Sequence, residues 1–304
     1  MNHSLSMVRT MYNKSMLVSN QWQSYQLLDA GDGRRLESWK DTLLDRPDPT
    51  AIWAKGAPAS TWSKADAIYH RSNKGGGSWE FKHTFPSQWT ISYKDLRFKV
   101  SPTGFKHTGL FPEQATNWDF IMDKIKGCGR DDIKVLNLFA YTGGATMAAS
   151  KAGANEVVHV DASKGMIQWA KDNSELNHLN GHTIRYIVDD VTKFVAREIR
   201  RGHHYDGIIL DPPSYGRGPN GELWKLEDQL ADLIHSTARL LSEHPLFYII
   251  NCYTQGFSLT TLWNILSTSL PLSDATLIVD EIGLPILSGS LVLPCGIVGR
   301  VSYD

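Results

Sequence analysis

The pattern of apolar and polar positions changes once along the chain, near residue 115. Between Tyr25 and about Lys99 the apolar runs are short, alternating or aromatic, as in Trp79-Glu-Phe-Lys-His83 and Trp89-Thr-Ile-Ser-Tyr93. Turn-forming clusters separate them: Asp29-Ala-Gly-Asp-Gly33, Arg46-Pro-Asp-Pro49, Lys55-Gly-Ala-Pro58 and Gly75-Gly-Gly77. Such alternation between Gly, Pro and Asp clusters predicts hairpins, hence a small β-rich domain over 23–100. No helical pattern follows the triple glycine, which reads as a hairpin tip rather than a phosphate loop. Beyond residue 115, apolar β-branched runs alternate with longer amphipathic stretches. The runs are Lys134–Phe139, Glu156–Val160, Thr183–Val188, Tyr205–Leu210 and Leu246–Ile250, and stretches such as 163–178, 190–201 and 223–243 have helical spacing. Strand and helix in alternation predict a parallel sheet with helices on both faces, over 101–304. Ligands of such sheets bind at the carboxyl ends of the strands, so chemistry is sought there.

Composition narrows the class. The chain has 304 residues, 41% hydrophobic and 21% charged, which excludes collagen-like, coiled-coil and wholly disordered readings. Cys128, Cys252 and Cys295 form no C-x-x-C pair. That argues against a disulfide scaffold or a cysteine zinc site, and makes a reducing, cytoplasmic setting the expectation, with no metal. No apolar run reaches the ~18 residues a membrane span needs. Residues 1–22 hold no acid and no secretory apolar block, and are expected to be a disordered leader. The net charge of −1 is uneven: residues 1–110 carry 15 Lys and Arg against 9 Asp and Glu, residues 111–304 carry 16 against 23. Six of the ten tryptophans, Trp22, Trp39, Trp53, Trp62, Trp79 and Trp89, lie in the basic part. This region is either a polyanion-docking surface or a small domain with a tryptophan core and solvated cations.

Each strand end carries a distinctive residue set. After the first comes Phe139-Ala-Tyr-Thr-Gly-Gly144, whose glycines let backbone approach a ligand ahead of a helix N-terminus. It is not G-x-G-x-x-G, so the dinucleotide fingerprint of a dehydrogenase is absent. Asp161 follows the second strand, placed to accept both hydroxyls of a ribose. Asp189-Asp190 follows the third, where a carboxylate or its neighbouring amides can read an adenine edge. Asp161 and Asp190 suit helix N-caps equally well. Asp211-Pro-Pro-Ser-Tyr215 after the fourth strand is the sharpest signal, because its prolines fix the backbone and remove competing amide hydrogens. An aromatic two residues beyond them can stack on a flat substrate.

These segments, with Phe105-Lys-His-Thr-Gly-Leu-Phe-Pro-Glu-Gln114, Val158-His-Val-Asp161 and Asp189-Asp-Val191, resemble a Rossmann-like S-adenosylmethionine-dependent methyltransferase. Over about 90–302 the resemblance is to bacterial 23S rRNA methyltransferases of the cytosine-C5 and guanine types. It implies a seven-stranded α/β sheet ending in an antiparallel strand near Ile297–Ser302, beside the small β-rich N-terminal domain. No PUA-like module is visible at the N-terminus, and the 214–222 loop departs from those enzymes. The resemblance implies S-adenosylmethionine as the cofactor and RNA, as rRNA, as the substrate and partner. It implies that Asn137, Phe139, Tyr141, Thr142 and Gly143 line the methionine moiety, that Asp161 holds the ribose, and that Asp190 lies near adenine N6. Lys106, Thr108, Gly109 and Phe111 would cover the amino-acid end.

Asp211, Pro212, Pro213 and Tyr215 are the expected catalytic residues: carbonyls near Pro212 to accept amine hydrogens, and Tyr215 to stack on the acceptor. Cytosine C5 would also need a thiolate. Cys252 stands where the related cytosine-C5 enzymes carry one, although a buried filler residue explains it too. No charge lies in Asn251-Cys-Tyr-Thr-Gln-Gly256 to activate it, which favours a non-covalent transfer. A small-molecule or protein methyltransferase and a non-catalytic RNA-binding relative are the alternatives. The second should have lost the Gly-rich loop or Asp161.

Overall fold

The computed structural model describes residues 16–72, 76–84, 86–104, 106–217, 223–254 and 256–303. Most of the expected leader, Gly75, Phe105 and the 218–222 part of the divergent loop lie outside the described residues. The described residues divide into a smaller unit, 18–115 with 283–295, and a larger one, 116–282 with 296–303 and 16–17. In chain order the strands begin with β1 (Met16–Val18), β2 (Tyr25–Gly31), β3 (Arg34–Trp39), β4 (Thr42–Pro47), β5 (Ala67–Arg71), β6 (Gly77–Phe81), β7 (Trp89–Tyr93) and β8 (Leu96–Val100). They continue with β9 (Lys134–Leu138), β10 (Glu156–Asp161), β11 (Ile184–Val188), β12 (Gly207–Leu210), β13 (Tyr215–Arg217), β14 (Leu223–Lys225), β15 (Phe247–Cys252), β16 (Ala275–Pro285) and β17 (Val292–Tyr303).

The smaller unit holds the sheet β2-β3-β4-β5-β6 and the hairpin β7-β8. The β2–β3 hairpin turns at Asp32-Gly33, both at positive φ, the combination a tight two-residue turn requires. The expected boundary at residue 100 moves to 115, and residues 283–295 return to this unit. There Leu287 and Ser288 donate backbone hydrogen bonds to the Leu27 and Leu28 carbonyls. Nothing local to either segment signals that pairing.

The tryptophans serve this unit's interior. Trp39 and Trp62 are buried. The indole N–H groups of Trp22, Trp53, Trp79 and Trp89 donate to the carbonyls of Pro112, Ala30, Thr103 and Trp39, and that of Trp62 donates to Asp29. Beneath them lies a charged core. Glu37, 0% exposed, accepts from Tyr25 Oη at 2.7 Å and from Arg46 Nε and Nη2 at 2.6 and 2.8 Å, with Arg35 Nε at 3.4 Å. Burial would raise the Glu37 carboxyl, but the Arg35 and Arg46 charges outweigh it and hold it at about 2.

The larger unit carries an eight-stranded sheet in the order β1-β16-β17-β15-β12-β9-β10-β11. It consists of the seven expected strands plus β1 at the edge. Met16–Val18 therefore belongs to the sheet rather than to a leader. The five strands β9 to β12 and β15 are parallel, and β17 runs antiparallel to β15, pairing Phe247 with Ser302 and Cys252 with Ile297. Alternate residues face opposite helical layers, as period-two strands demand. Leu136, Val158, Ile208 and Tyr248 pack on one side, and Val135, Val157, Ile209 and Ile249 on the other. No helix among the described residues is long and apolar enough to cross a membrane.

Candidate active site

Strand order reverses at β9, which lies between β10 and β12. In a doubly wound sheet this is where a crevice opens past the carboxyl ends. The loop after β9 is under conformational tension: Phe139, Tyr141 and Gly143 all have positive φ, at 54°, 51° and 86°. For the two aromatics that conformation costs on the order of 1–2 kcal/mol each. It is held by Ala140 N donating to Val160 O, Gly143 N to Ala140 O and Tyr141 N to Asp161 Oδ2. A Cβ on Gly143 would lie 3.2 Å from both Ala170 Cβ and Met147 Cε, and one on Gly144 would meet the Trp118 ring at 2.8 Å. Gly143→Ala is expected to cost roughly 1–2 kcal/mol of stability from the left-handed backbone alone, readable in urea unfolding, and to weaken cofactor binding in parallel.

Asp161 ends β10 with one oxygen on Tyr141 N (2.9 Å) and the other on Ser163 N (2.8 Å). Burial raises its carboxyl above the ordinary range, against those two amides. Each oxygen keeps a lone pair, so a vicinal diol can donate to both. Ser163, not Asp161, caps the following helix, Lys164–Leu176. Asp190 does cap its helix: Oδ1 accepts from Lys193 N at 3.0 Å and Thr192 Oγ1 at 2.5 Å. The expected adenine contact would therefore share that carboxylate with a cap. Asp189 forms an ion pair with Arg197.

Asn137 and Thr142, expected at the methionine moiety, are buried supports. Asn137 Nδ2 donates to Thr146 Oγ1 at 2.9 Å, and Thr146 Oγ1 lies 2.8 Å from His159 Nδ1. Asn173 Nδ2 reaches the Thr142 carbonyl at 2.9 Å. Burial pushes His159 down to about 3, so the imidazole stays neutral. Phe139 and Tyr141 remain partly exposed. Sequence reasoning missed His159, whose one signal is its place two residues before the strand-end acid.

On the other side of β9, the end of β12 is braced from below. Arg300 Nε donates to Asn117 Oδ1 (2.7 Å), Asn117 Nδ2 to Asn251 Oδ1 (2.9 Å), and Asn251 Nδ2 to the Leu210 carbonyl (3.4 Å). Asp211 follows directly. The Pro213 carbonyl accepts Trp224 Nε1 at 2.6 Å and the Ser214 carbonyl accepts Leu226 N, which leaves each a second lone pair. The Pro212 carbonyl has no donor among the described residues. Ser214 Oγ accepts from Thr254 Oγ1, which ties this loop to the one after β15. Tyr215 is 56% exposed. Cys252 is 1% exposed, and burial, with the Asp211 charge, pushes its thiol up to about 12.

Lys106, Thr108, Gly109 and Phe111 belong to the smaller unit. The Lys106 carbonyl accepts Arg46 Nη1 at 2.8 Å, and burial and the Arg35 charge push its ammonium down to about 8. Thr108 is buried, with its carbonyl on Ser101 N. Gly109 takes φ 91°, and the Phe111 ring lies 5.2 Å from His107. No group of three or more His, Cys, Asp or Glu among the described residues could hold a metal ion.

The glycine cradle at the helix start, and an Asp161 carboxylate with a lone pair left on each oxygen, fit a nucleoside cofactor. The comparisons with known proteins agree. The family model described as S-adenosylmethionine-dependent methyltransferase matches residues 57–223. The crystal structure of an S-adenosylmethionine-dependent methyltransferase from Agrobacterium tumefaciens is similar at a TM-score of 0.90 and 34% identity, covering 95% of this chain and 93% of that one. A methyltransferase from Streptococcus mutans shares the fold at a TM-score of 0.73 and 18% identity, covering 98% and 78%. Among curated relatives, the ribosomal RNA large subunit methyltransferase K/L of Shewanella frigidimarina is 34% identical over 147 residues, 48% of this chain. That of Colwellia psychrerythraea is 27% identical over 213 residues, covering 70% of this chain and 29% of the relative. The chain spans about a fifth of the Shewanella protein's length, 20%. With more than half its length under the family model, the chain belongs to the S-adenosylmethionine-dependent methyltransferases.

Proposed function

We propose that the chain methylates a base of RNA, as rRNA, by direct transfer without a covalent enzyme–base adduct. The curated relatives named as ribosomal RNA methyltransferases support the RNA acceptor. The observation that carries the direct transfer is Cys252, whose buried thiol is held far from its thiolate range. Cytosine C5 methylation would need that thiolate within bonding reach of the ring.

S-Adenosylmethionine supplies an activated methyl group on a sulfonium, so the protein's work is alignment. Asp161 would hold the ribose hydroxyls. Gly143 and Gly144 would admit the methionine end beside Phe139 and Tyr141. Exposed Tyr215 would stack on the acceptor ring, and the Pro212 carbonyl would accept a hydrogen of an exocyclic amine. S-Adenosylmethionine, when bound, would give up its methyl group to the nitrogen lone pair with the S–C pair leaving on sulfur, and the proton lost from the amine would pass to solvent water.

Cys252→Ala is expected to keep transfer to RNA within a few-fold of wild type, measured with tritiated S-adenosylmethionine. Tyr215→Ala should lower it by roughly tenfold or more, as loss of one base-stacking partner costs about 1–3 kcal/mol. Abolished transfer in Cys252→Ala, with a trapped adduct on 5-fluorocytosine RNA in wild type only, would overturn the direct mechanism.

A further inference from the structure

Residues 111–304 are acidic overall, yet the helix Val191–Arg201 carries Lys193, Arg197, Arg200 and Arg201 against a single acid, Glu198. Two of these cations are committed: Arg197 pairs with Asp189 and Arg201 with Glu198. Arg200 is exposed, as is Arg239 at the end of the neighbouring helix Leu226–Ala238, and neither has an ion pair among the described residues. The two helices pack side by side through Phe194, Val195, Leu230 and Leu233. Between them runs a groove of about 630 Å³.

The groove is lined by Thr192 and Trp224 at the helix starts and by Arg200 and Arg239 at the helix ends, with Asp232 and Ser236 along one wall. The first helix follows the parallel strand β11, and the second follows the β13–β14 hairpin that leaves the carboxyl end of β12, so both start beside the site. Trp224 joins groove to site. Its indole N–H holds the Pro213 carbonyl, and its ring lies 5.5 Å from Phe139. A chain leaving the acceptor loop would pass the rim of buried Trp224, then Ser236, then the Arg200 and Arg239 guanidiniums. Asp232 is the one carboxylate in the lining, and the net charge stays positive. Cations along a groove suit the phosphates of a strand whose reacting base stacks on exposed Tyr215.

We propose that this groove binds single-stranded RNA flanking the methylated base, with Arg200 and Arg239 on its phosphates. The proposal rests on the RNA reading above and goes beyond it by assigning the docking surface. The placement of both arginines in last helical turns also suits the helix dipoles, a role that affects stability but not RNA affinity.

The test is titration of a fluorescein-labelled oligouridine with the full chain across a salt series. Arg200→Gln/Arg239→Gln should raise Kd by roughly tenfold. It should also flatten the plot of log K against log salt by about 1.4, since each phosphate contact on a single strand contributes about 0.7. S-Adenosylmethionine affinity should be unchanged, and the variant should remain folded. The charge reversal Arg200→Glu/Arg239→Glu should weaken RNA further. Unchanged oligouridine affinity and salt slope in both variants would overturn the groove while leaving an RNA substrate standing, and would mark the face as a protein-docking or bare surface. If the wild-type chain binds no oligouridine but still binds S-adenosylmethionine, the groove and the RNA reading fall together.

Discussion

Glu37→Gln is expected to destabilise the protein by about 3–5 kcal/mol, because it leaves buried Arg46 without its counter-charge and Arg35 with Asp48 in place of two carboxylates. The residue is fully buried on β3, and its two oxygens gather Tyr25 from β2, Arg46 from β4 and Arg35 from β3 itself. Glutamine matches its shape, so the loss reads charge rather than a cavity. The same group sets an acid limit. Its folded-state pKa lies at about 2, below the ordinary 4.5. A depressed carboxyl contributes stability that is fully present above the unfolded value and lost as pH falls through the folded one. Urea midpoints of the wild type should therefore drop between pH 4.5 and 2 in part through this group, and Glu37→Gln should lack that share of the drop.

Asp161→Ala is expected to weaken S-adenosylmethionine binding by about tenfold to a hundredfold, since a hydrogen bond to a charged group is worth about 1.5–3 kcal/mol. The loss has two sources. The carboxylate that would take the ribose hydroxyls disappears, and Tyr141 N loses the partner that holds it in a left-handed conformation. Asp161→Asn keeps the acceptor oxygen for one of these roles and should fall between the two. Calorimetry decides it: affinity within twofold of wild type in the alanine variant would remove Asp161 from the site.

The strands that frame the site were legible because buried parallel strands read as uninterrupted β-branched runs. Val157-Val158-His159-Val160 and Ile208-Ile209-Leu210 are such runs, and each sits within a residue or two of its expected limits. The acids and prolines at their ends were legible for the same reason, since a strand boundary fixes where the next residue emerges. What joins distant segments was not legible. The Arg300–Asn117–Asn251 brace spans 183 residues, and each member alone is an ordinary polar residue. The return of residues 283–295 to β2 depends on backbone hydrogen bonds that any sequence can make. Three-residue β1 is too short to show a period. The contact of the Asn137 amide with Thr146 was not legible either, since its position at the strand end suited a ligand contact equally well. Trp224 gave no sign that it would cap the Pro213 carbonyl, because that contact depends on the β13–β14 hairpin folding back.

The central claim is direct methyl transfer from S-adenosylmethionine to an RNA base, and one labelling experiment tests it most directly. The chain is incubated with tritiated S-adenosylmethionine and total RNA from cells lacking its gene, and the label is followed into RNA nucleosides, protein and small molecules. The account predicts tritium in a base of the RNA, retained in Cys252→Ala and strongly reduced in Asp161→Ala. Label in the protein or small-molecule fraction with none in RNA would contradict it.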